Sequence, residues 1–515
     1  MPSEEEKIVI NKSAQSAARS AEHKLTKPEI IAIIGGLALA MFLSALDQTI
    51  VATALPTIGH ALGDFENLPW VVIAYLLTAT MVAPLYGKLS DIYGRRRMML
   101  VALGVFMAGS AVSAAASSML VLILGRALQG FGGGGIVPLT QSIIADIVPP
   151  RERGYYQAYT GSVWITAGAV GPLLGGFISQ HLHWSMIFWP NLPLCLLAVL
   201  LSNRKLKLVP QHERSHKIDL AGAGLMMASA VTLLLALTWG GTHYPWLSKQ
   251  IIALLIAAPL LVAAFVWWMK RAPEPFLPIT VLNNPIMRVG CITSACSQGV
   301  NIGLTIYVPI YYQLVHGLSA TASGMALIPI VMMTTPGSFL SGRAMLYLNH
   351  YKWVPIVMLS FASTAVILLA LFPMMPVWVV AMIMCLVGMG TGSSYPVVTV
   401  SIQNAIAHRQ IGVAMGTMNF FRALASSFVV AIMGAIMLTN LGVAPVRGGP
   451  ATTVATAMVG ATNEDLVLHT FSYIFGLGAM FLLVAIVMLI IMEERPLRTT
   501  VLAAPVHNTL AEAAE

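Results

Sequence analysis

Charge is scarce in this chain: of its 515 residues only 9% are Asp, Glu, Lys or Arg, where soluble domains carry about 25%. With 57% of residues in the hydrophobic set and a mean hydropathy of +0.81, no water-soluble fold can cover the apolar surface, and a soluble enzyme is excluded. Cysteine is scarce too. Cys195, Cys291, Cys296 and Cys385 fall in or beside apolar runs with no CxxC or metal-ligand spacing, so neither a disulfide framework nor a metal site is expected. The loops hold no HExxH, no paired carboxylates and no nucleophile with its base, and the chain has no GxxxxGK[ST] loop. These absences argue against a membrane-bound enzyme and against a nucleotide-driven pump. Residues 1–28 lack the short apolar core and small-residue cleavage site of a signal peptide, and none is expected. A net charge of +8 would suit nucleic acid only on a soluble basic face, which no stretch here is long enough to form.

What the chain has in abundance is apolar runs of membrane-spanning length. They fall near 30–55, 69–87, 98–116, 119–147, 157–180 and 184–202, then 218–239 and 250–269, then 287–312, 322–344, 353–372, 377–400, 412–439 and 468–492. Fourteen spans put both termini on one side, and the basic residues sort accordingly. Of 28 Lys and Arg, 24 fall on the side of the termini, only Lys249 and Arg447 on the other, and Arg126 and Arg422 lie inside runs. Since cytoplasmic loops collect such residues, both termini are expected to be cytoplasmic.

An internal repeat accompanies this pattern. Gly130, Gly132, Pro138, Arg151 and Gly154 recur 258 residues later as Gly388, Gly390, Pro396, Arg409 and Gly412, and Gly87-Lys88 is echoed by Gly342-Arg343. The fold expected is an all-α polytopic membrane protein of two pseudo-symmetric six-helix bundles, 29–202 and 287–492, with a helix pair inserted at 218–270. A cytoplasmic segment at 1–28, a loop at 203–217, a Pro-rich connector at 271–286 and a tail at 493–515 complete the division. A longer external loop is expected over 440–467.

Four stretches carry chemistry. In LDQTIVATALP at 46–56, Asp47 is the one acid well inside an apolar run, and an intramembrane carboxyl group is functional by default. In GRALQGFGGGG at 125–135, Arg126 needs a counter-charge that Asp47 can supply, with Gln129 able to join them, while the glycines suit close helix packing. In GKLSDIYGRRR at 87–97, Gly87 and Gly94 permit close approach or a tight turn, and Asp91 can pair with Arg95, Arg96 or Arg97 or cap a helix. In AGAVGPLLGG at 167–176, Ala167, Gly171 and Gly175 form a small-residue stripe beside Pro172.

The 87–97 stretch resembles the signature loop of the major facilitator superfamily, G-x-L-x-D-x-x-G-R-[KR]-x, with Ile92 where the family often has a basic residue. The 167–176 stretch is similar to the antiporter motif G-x-x-x-G-P-x-x-G-G, with Ala167 in place of the first glycine. Together with fourteen spans, the chain resembles the fourteen-helix drug:proton antiporter family of multidrug efflux type. That resemblance implies a transporter of the bacterial cytoplasmic (inner) membrane, with no cofactor beyond the proton as coupling ion. Asp47 and Arg126 would serve proton coupling, and Asp91 with the arginines would lock the cytoplasmic side shut in the outward-facing state. Partners would be the lipid bilayer, a small-molecule substrate and, as with some relatives, a periplasmic adaptor. The cargo expected is an amphipathic or cationic drug; dedicated export of one metabolite, lipid or siderophore is the alternative.

Substrate contacts are expected from polar and aromatic residues of the central helices. Gln298, Asn301, Thr305 and Tyr312 share one helical face, and Gln129, Trp164, Asn419, Phe420 and Arg422 are further candidates, Arg422 without an evident acidic partner.

Overall fold

The computed structural model describes residues 26–65, 67–206, 219–241, 243–441 and 464–497, and among them the chain is helical apart from its turns and one isolated bridge, Gly240 with Tyr244. The expected segment at 1–28 up to residue 25, most of the 203–217 loop, Arg447 with most of the 440–467 loop, and the tail beyond 497 lie outside the described residues.

The first bundle comprises α1 (Lys27–Leu62), α2 (Trp70–Tyr93), α3 (Arg95–Ala114), α4 (Met119–Ile147), α5 (Pro150–His181) and α6 (Asn191–Lys205). The inserted pair is α7 (Leu220–Trp239) and α8 (Lys249–Met269). The second bundle comprises α9 (Pro285–His316), α10 (Ile328–Tyr347), α11 (Trp353–Leu371), α12 (Val377–Ala405), α13 (Ile411–Leu441) and α14 (Glu464–Ile491). Local chemistry sets the ends. The Thr26 amide donates to the Glu29 carboxylate at the start of α1 (2.8 Å), and Gly63 closes it in the left-handed region at φ 69°.

Thirteen helical stretches among the described residues are long and apolar enough to cross a membrane, one of them Trp184–Asn203, where a 3-10 turn leads into α6. The fourteenth expected span, α9, is not among them. Its 32 residues are ample in length, but Thr293, Ser294, Ser297, Gln298, Asn301 and Thr305 dilute its hydropathy, and the first three are buried against other helices rather than lipid. Helix length and composition therefore support thirteen spans, one fewer than the apolar runs suggest.

Within the first bundle α4 lies between α2 and α3, and α1 packs on α5 and α6. The second repeats the plan, with α12 between α10 and α11 and α9 against α13 and α14. The glycines at 132–135 make the first of these packings possible. A Cβ on Gly132 would come within 2.6 Å of the Ala102 carbonyl oxygen, and one on Gly134 within 2.6 Å of the Ala79 Cα. The inserted pair covers the α2–α13 seam, where Phe420 packs with Met226, Phe265 and Leu85.

The bundles meet along α2–α13 and α5–α10. Two glycine pairs make these contacts. Gly87 abuts Gly412, and Gly154 abuts Gly342, where a Cβ on Gly342 would lie 2.5 Å from the Gly154 carbonyl oxygen. Gly154 and Gly412 are mates in the 258-residue repeat, and Gly87 and Gly342 belong to its weaker echo. A two-fold operation exchanging the bundles therefore exchanges these two contacts, which is the physical content of the repeat.

The seam closes at one end only. Gly154, Gly161 and Gly168 share one face of α5 at seven-residue intervals. A Cβ on Gly154 would be 3.3 Å from the Gly342 Cα, one on Gly161 3.6 Å from the Ser338 Oγ, and one on Gly168 would meet nothing within 4 Å. The helices diverge away from the end carrying Arg95, Arg151 and Arg409.

Gly412→Val is expected to push α13 off α2 at the closed end. A thiol introduced by Ser338→Cys, at a position now 1% exposed, should then react faster with a water-soluble maleimide, measured above the background of the native cysteines. Unchanged reactivity would show that the glycine contact does not hold the seam.

Candidate functional site

Asp47 is fully buried where five helices converge. Its carboxylate is ion-paired to the Arg126 guanidinium of α4 and accepts hydrogen bonds from Gln129 Nε2 (2.6 Å) and Asn191 Nδ2 of α6 (2.9 Å). Arg126, 1% exposed, also donates from Nε to the Val71 carbonyl of α2 (3.1 Å) and from Nη1 to Gln129 Oε1 (2.7 Å), and its guanidinium lies 4.5 Å from the Tyr75 ring centre. Ser110 of α3 accepts from Gln129 at 2.7 Å, and the Tyr75 hydroxyl bonds Ser44 at 2.9 Å. Three donors converge on the carboxylate, which suits its ionised form, and none of its partners is open to water. Such a pair is tolerated because further hydrogen bonds surround both charges.

This placement corrects one expectation. Gln129 does not line a substrate cavity: it is fully buried, and both ends of its amide are spent on Asp47, Arg126 and Ser110. Asn191, Ser110 and Tyr75 went unread in the sequence. Asn191 alone offered a signal, as an asparagine inside an otherwise apolar run.

The closed end of the seam carries a second cluster. Asp91, at the end of α2, accepts from the backbone amides of Gly412 (3.1 Å) and Val413 (2.9 Å), so it caps the first turn of α13 from the opposite bundle. Arg95 clamps it at 2.5 Å and reaches Asp146 of α4 at 2.9 Å, while His408 approaches Asp146 from the second bundle at 3.4 Å. Gly94 makes this possible by turning the chain at φ 90°. Arg96 departs from expectation. It bonds Asn203 at the end of α6 (3.1 Å from Nε), within its own bundle, because Gly94 starts a new helix and the next residue round points away from the seam.

Above this lock lies a neutral set of which the sequence offered only Asn419. Gln141 of α4 donates to the Tyr395 hydroxyl of α12 (2.7 Å) and accepts from Asn419 of α13 (2.6 Å), and Gln403 donates to its carbonyl (3.1 Å). Arg422 donates to Asn419 Oδ1 (2.7 Å) with its guanidinium 5.3 Å from the Tyr395 ring. Of the other candidates, Gln298, Asn301 and Thr305 are half-buried, with Asn301 donating to Thr391 at 3.0 Å, and Trp164 is 39% exposed on α5. Tyr312 and Phe420 do not join them. Tyr312 is sealed in the core of the second bundle beside Tyr311, and Phe420 is 6% exposed against the inserted pair. A shared helical face does not say which neighbour covers it. Gly171 and Gly175 press α5 onto α1, where Thr49 donates to the Ala167 carbonyl (3.0 Å), and Pro172 faces outward.

The profile of the Major Facilitator Superfamily matches residues 37–430. The multidrug transporter protein MdtP of Bacillus subtilis is 34% identical over 424 residues, covering 82% of this chain and 78% of that protein. An uncharacterised MFS-type transporter of Mycobacterium tuberculosis is 33% identical over 460 residues, 89% of this chain; the match spans 66% of the relative, just under two thirds of its length. Among solved structures, the proton:xylose symporter XylE has a TM-score of 0.60 at 15% identity, covering 91% of this chain and 97% of that one. At that identity the likeness is one of fold.

Arg126→Met strands the Asp47 carboxylate, and a loss of about 3–5 kcal/mol in stability is expected. The pair of changes Asp47→Leu with Arg126→Met should recover at least half of it, read as unfolding midpoints in detergent. Asp91→Ala removes the cap on α13 and one of the two carboxylates on Arg95, which keeps Asp146, so it should leave the midpoint within a few degrees while opening the closed end.

Proposed function

The chain belongs to the major facilitator superfamily, and from that premise we propose that it exports amphipathic drugs and other toxic organic compounds in exchange for protons, by alternating access. It is a multi-pass membrane transporter with relatives named for multidrug transport. The observation that carries the reading is the one-ended seam: two related bundles held together by Gly87–Gly412 and Gly154–Gly342 and parted at Gly168. Such contacts are backbone against backbone, so they can be remade by a small rocking motion without repacking either core.

In this reading α9 is the fourteenth span, both termini are cytoplasmic, and the sealed end with Asp91 and Arg95 faces the cytoplasm of a bacterial cell. The conformation is then outward-facing. The reading also admits a periplasmic adaptor at the open end, which crosslinking in native membranes would recover. Asp47 takes the coupling proton. Protonation cancels the charge that holds Arg126, so the carboxyl group must turn a donor away, and the packing of α1 on α4 changes with it. One proton crossing 100 mV supplies about 2.3 kcal/mol, enough for a gradient of roughly fortyfold.

Purified protein in lightly buffered detergent should release protons on adding transported compounds, and Asp47→Asn should abolish that release while leaving binding within about threefold. Full proton-driven uptake into everted vesicles by Asp47→Asn would overturn the assignment. Reporter fusions after residues 206 and 497 should both report the cytoplasmic side; opposite sides would refute the fourteen-span topology.

A further inference from the structure

We propose that Arg422 is a cargo-binding residue, and that the compounds this transporter carries bear an anionic group, a carboxylate or an acidic enol or phenol, on an apolar body. The inference rests on the export reading and gives it a substrate class. Arg422 stands ten residues beyond Gly412 on α13, about 15 Å along the helix from the closed end, and is half-buried. Its Nη2 donates to Asn419, and no acidic side chain pairs with it among the described residues. A guanidinium carries five donors in a planar fork. One is used here, and the Tyr395 ring lies beside the group at 5.3 Å.

The distribution of acids makes the case stronger. Among the described residues, Asp47 alone of the Asp and Glu residues lies well inside a helix rather than at an end or in a loop, and it is sealed and paired to Arg126. Asp91 and Asp146 belong to Arg95 at the closed end, and Asp219 caps α7 while accepting from Trp268 (2.9 Å) and the Phe276 amide (3.1 Å). A cationic compound entering between the bundles therefore meets a fixed positive charge and, among the described residues, no free carboxylate, although the sequence alone admitted cationic cargo. An anion meets a guanidinium whose donors await an acceptor, at a depth where a charge needs a partner or water. Asn419 links that guanidinium to Gln141 of the opposite bundle (2.6 Å), so bound cargo sits one side chain from the seal.

The test is counterflow exchange in proteoliposomes, which reads cargo recognition without a proton gradient. Two xanthene dyes of similar size serve as probes: fluorescein, an anion, and rhodamine 6G, a cation. Wild-type protein should exchange fluorescein and discriminate against rhodamine 6G. Arg422→Lys should retain fluorescein exchange within about threefold. Arg422→Gln should lose it at least tenfold and exchange rhodamine 6G faster than wild type, a gain that an unfolded variant cannot produce. Fluorescein exchange unchanged in Arg422→Gln would overturn the proposal. So would wild-type exchange of rhodamine 6G alone, which leaves the export reading intact. No exchange of either dye by wild type would overturn both.

Discussion

A membrane interior offers a charge no water, so every ionised group at depth must find its partner within the protein. That constraint organises this molecule. Asp47 and Arg126 are tolerable because Gln129, Asn191, Ser110 and the Val71 carbonyl complete their hydrogen bonds, drawing α1, α2, α3, α4 and α6 to one point. The first bundle owes its internal register to that convergence. At the closed end the same requirement is met across the seam instead. Asp91 is satisfied by Arg95 from its own bundle and by two amides of the other, so partnering the charge and joining the bundles are one act.

Glycine decides where the joining is allowed. Amides can reach a carboxylate on a neighbouring helix only if the backbones approach closely, and at Gly87 and Gly412 no side chain stands between them. The contact at Gly154 and Gly342 repeats this on the other side of the pseudo-two-fold, with no carboxylate capped across it among the described residues. The lock is therefore asymmetric although the scaffold is symmetric. Its ion-paired half lies at α2–α13, whereas at α5–α10 the glycine contact is joined by a hydrogen bond from Arg151 Nε to the Leu346 carbonyl (3.0 Å).

How far the sequence was readable follows the same division. Charges in apolar runs stand out, so Asp47, Arg126 and the 87–97 loop were legible from residue type and spacing alone, as were the glycines at a fixed offset. Neutral polar residues were less so: Gln129 was read beside Arg126, but others were missed. Gln141, Tyr395 and Asn191 are ordinary in composition, and only the tertiary arrangement shows that they meet partners from another helix. Periodicity put Gln298, Asn301, Thr305 and Tyr312 on one stripe of α9, but the first three are half-buried while Tyr312 is sealed in the core of the second bundle. Hydropathy is low in α9 for a related reason: Thr293, Ser294 and Ser297 lie buried against other helices, where a helix need not be apolar all round.

The two charged groups that the proposed mechanism uses lie in different bundles, and this constrains how they communicate. Asp47 has no exposed surface, so a bound compound cannot displace its proton by taking the same group. What the two centres share is α4. Arg126 and Gln129 hold Asp47 near one end of that helix. Twelve residues on, about 18 Å along the axis, Gln141 holds Tyr395 and Asn419, the residues that flank Arg422. A rigid helix fixed at both points converts a change at either into a displacement at the other. Proton and cargo then act on one equilibrium, closed end against open end, rather than on each other, and strict exchange needs only that neither loaded form favours the conformation the other requires.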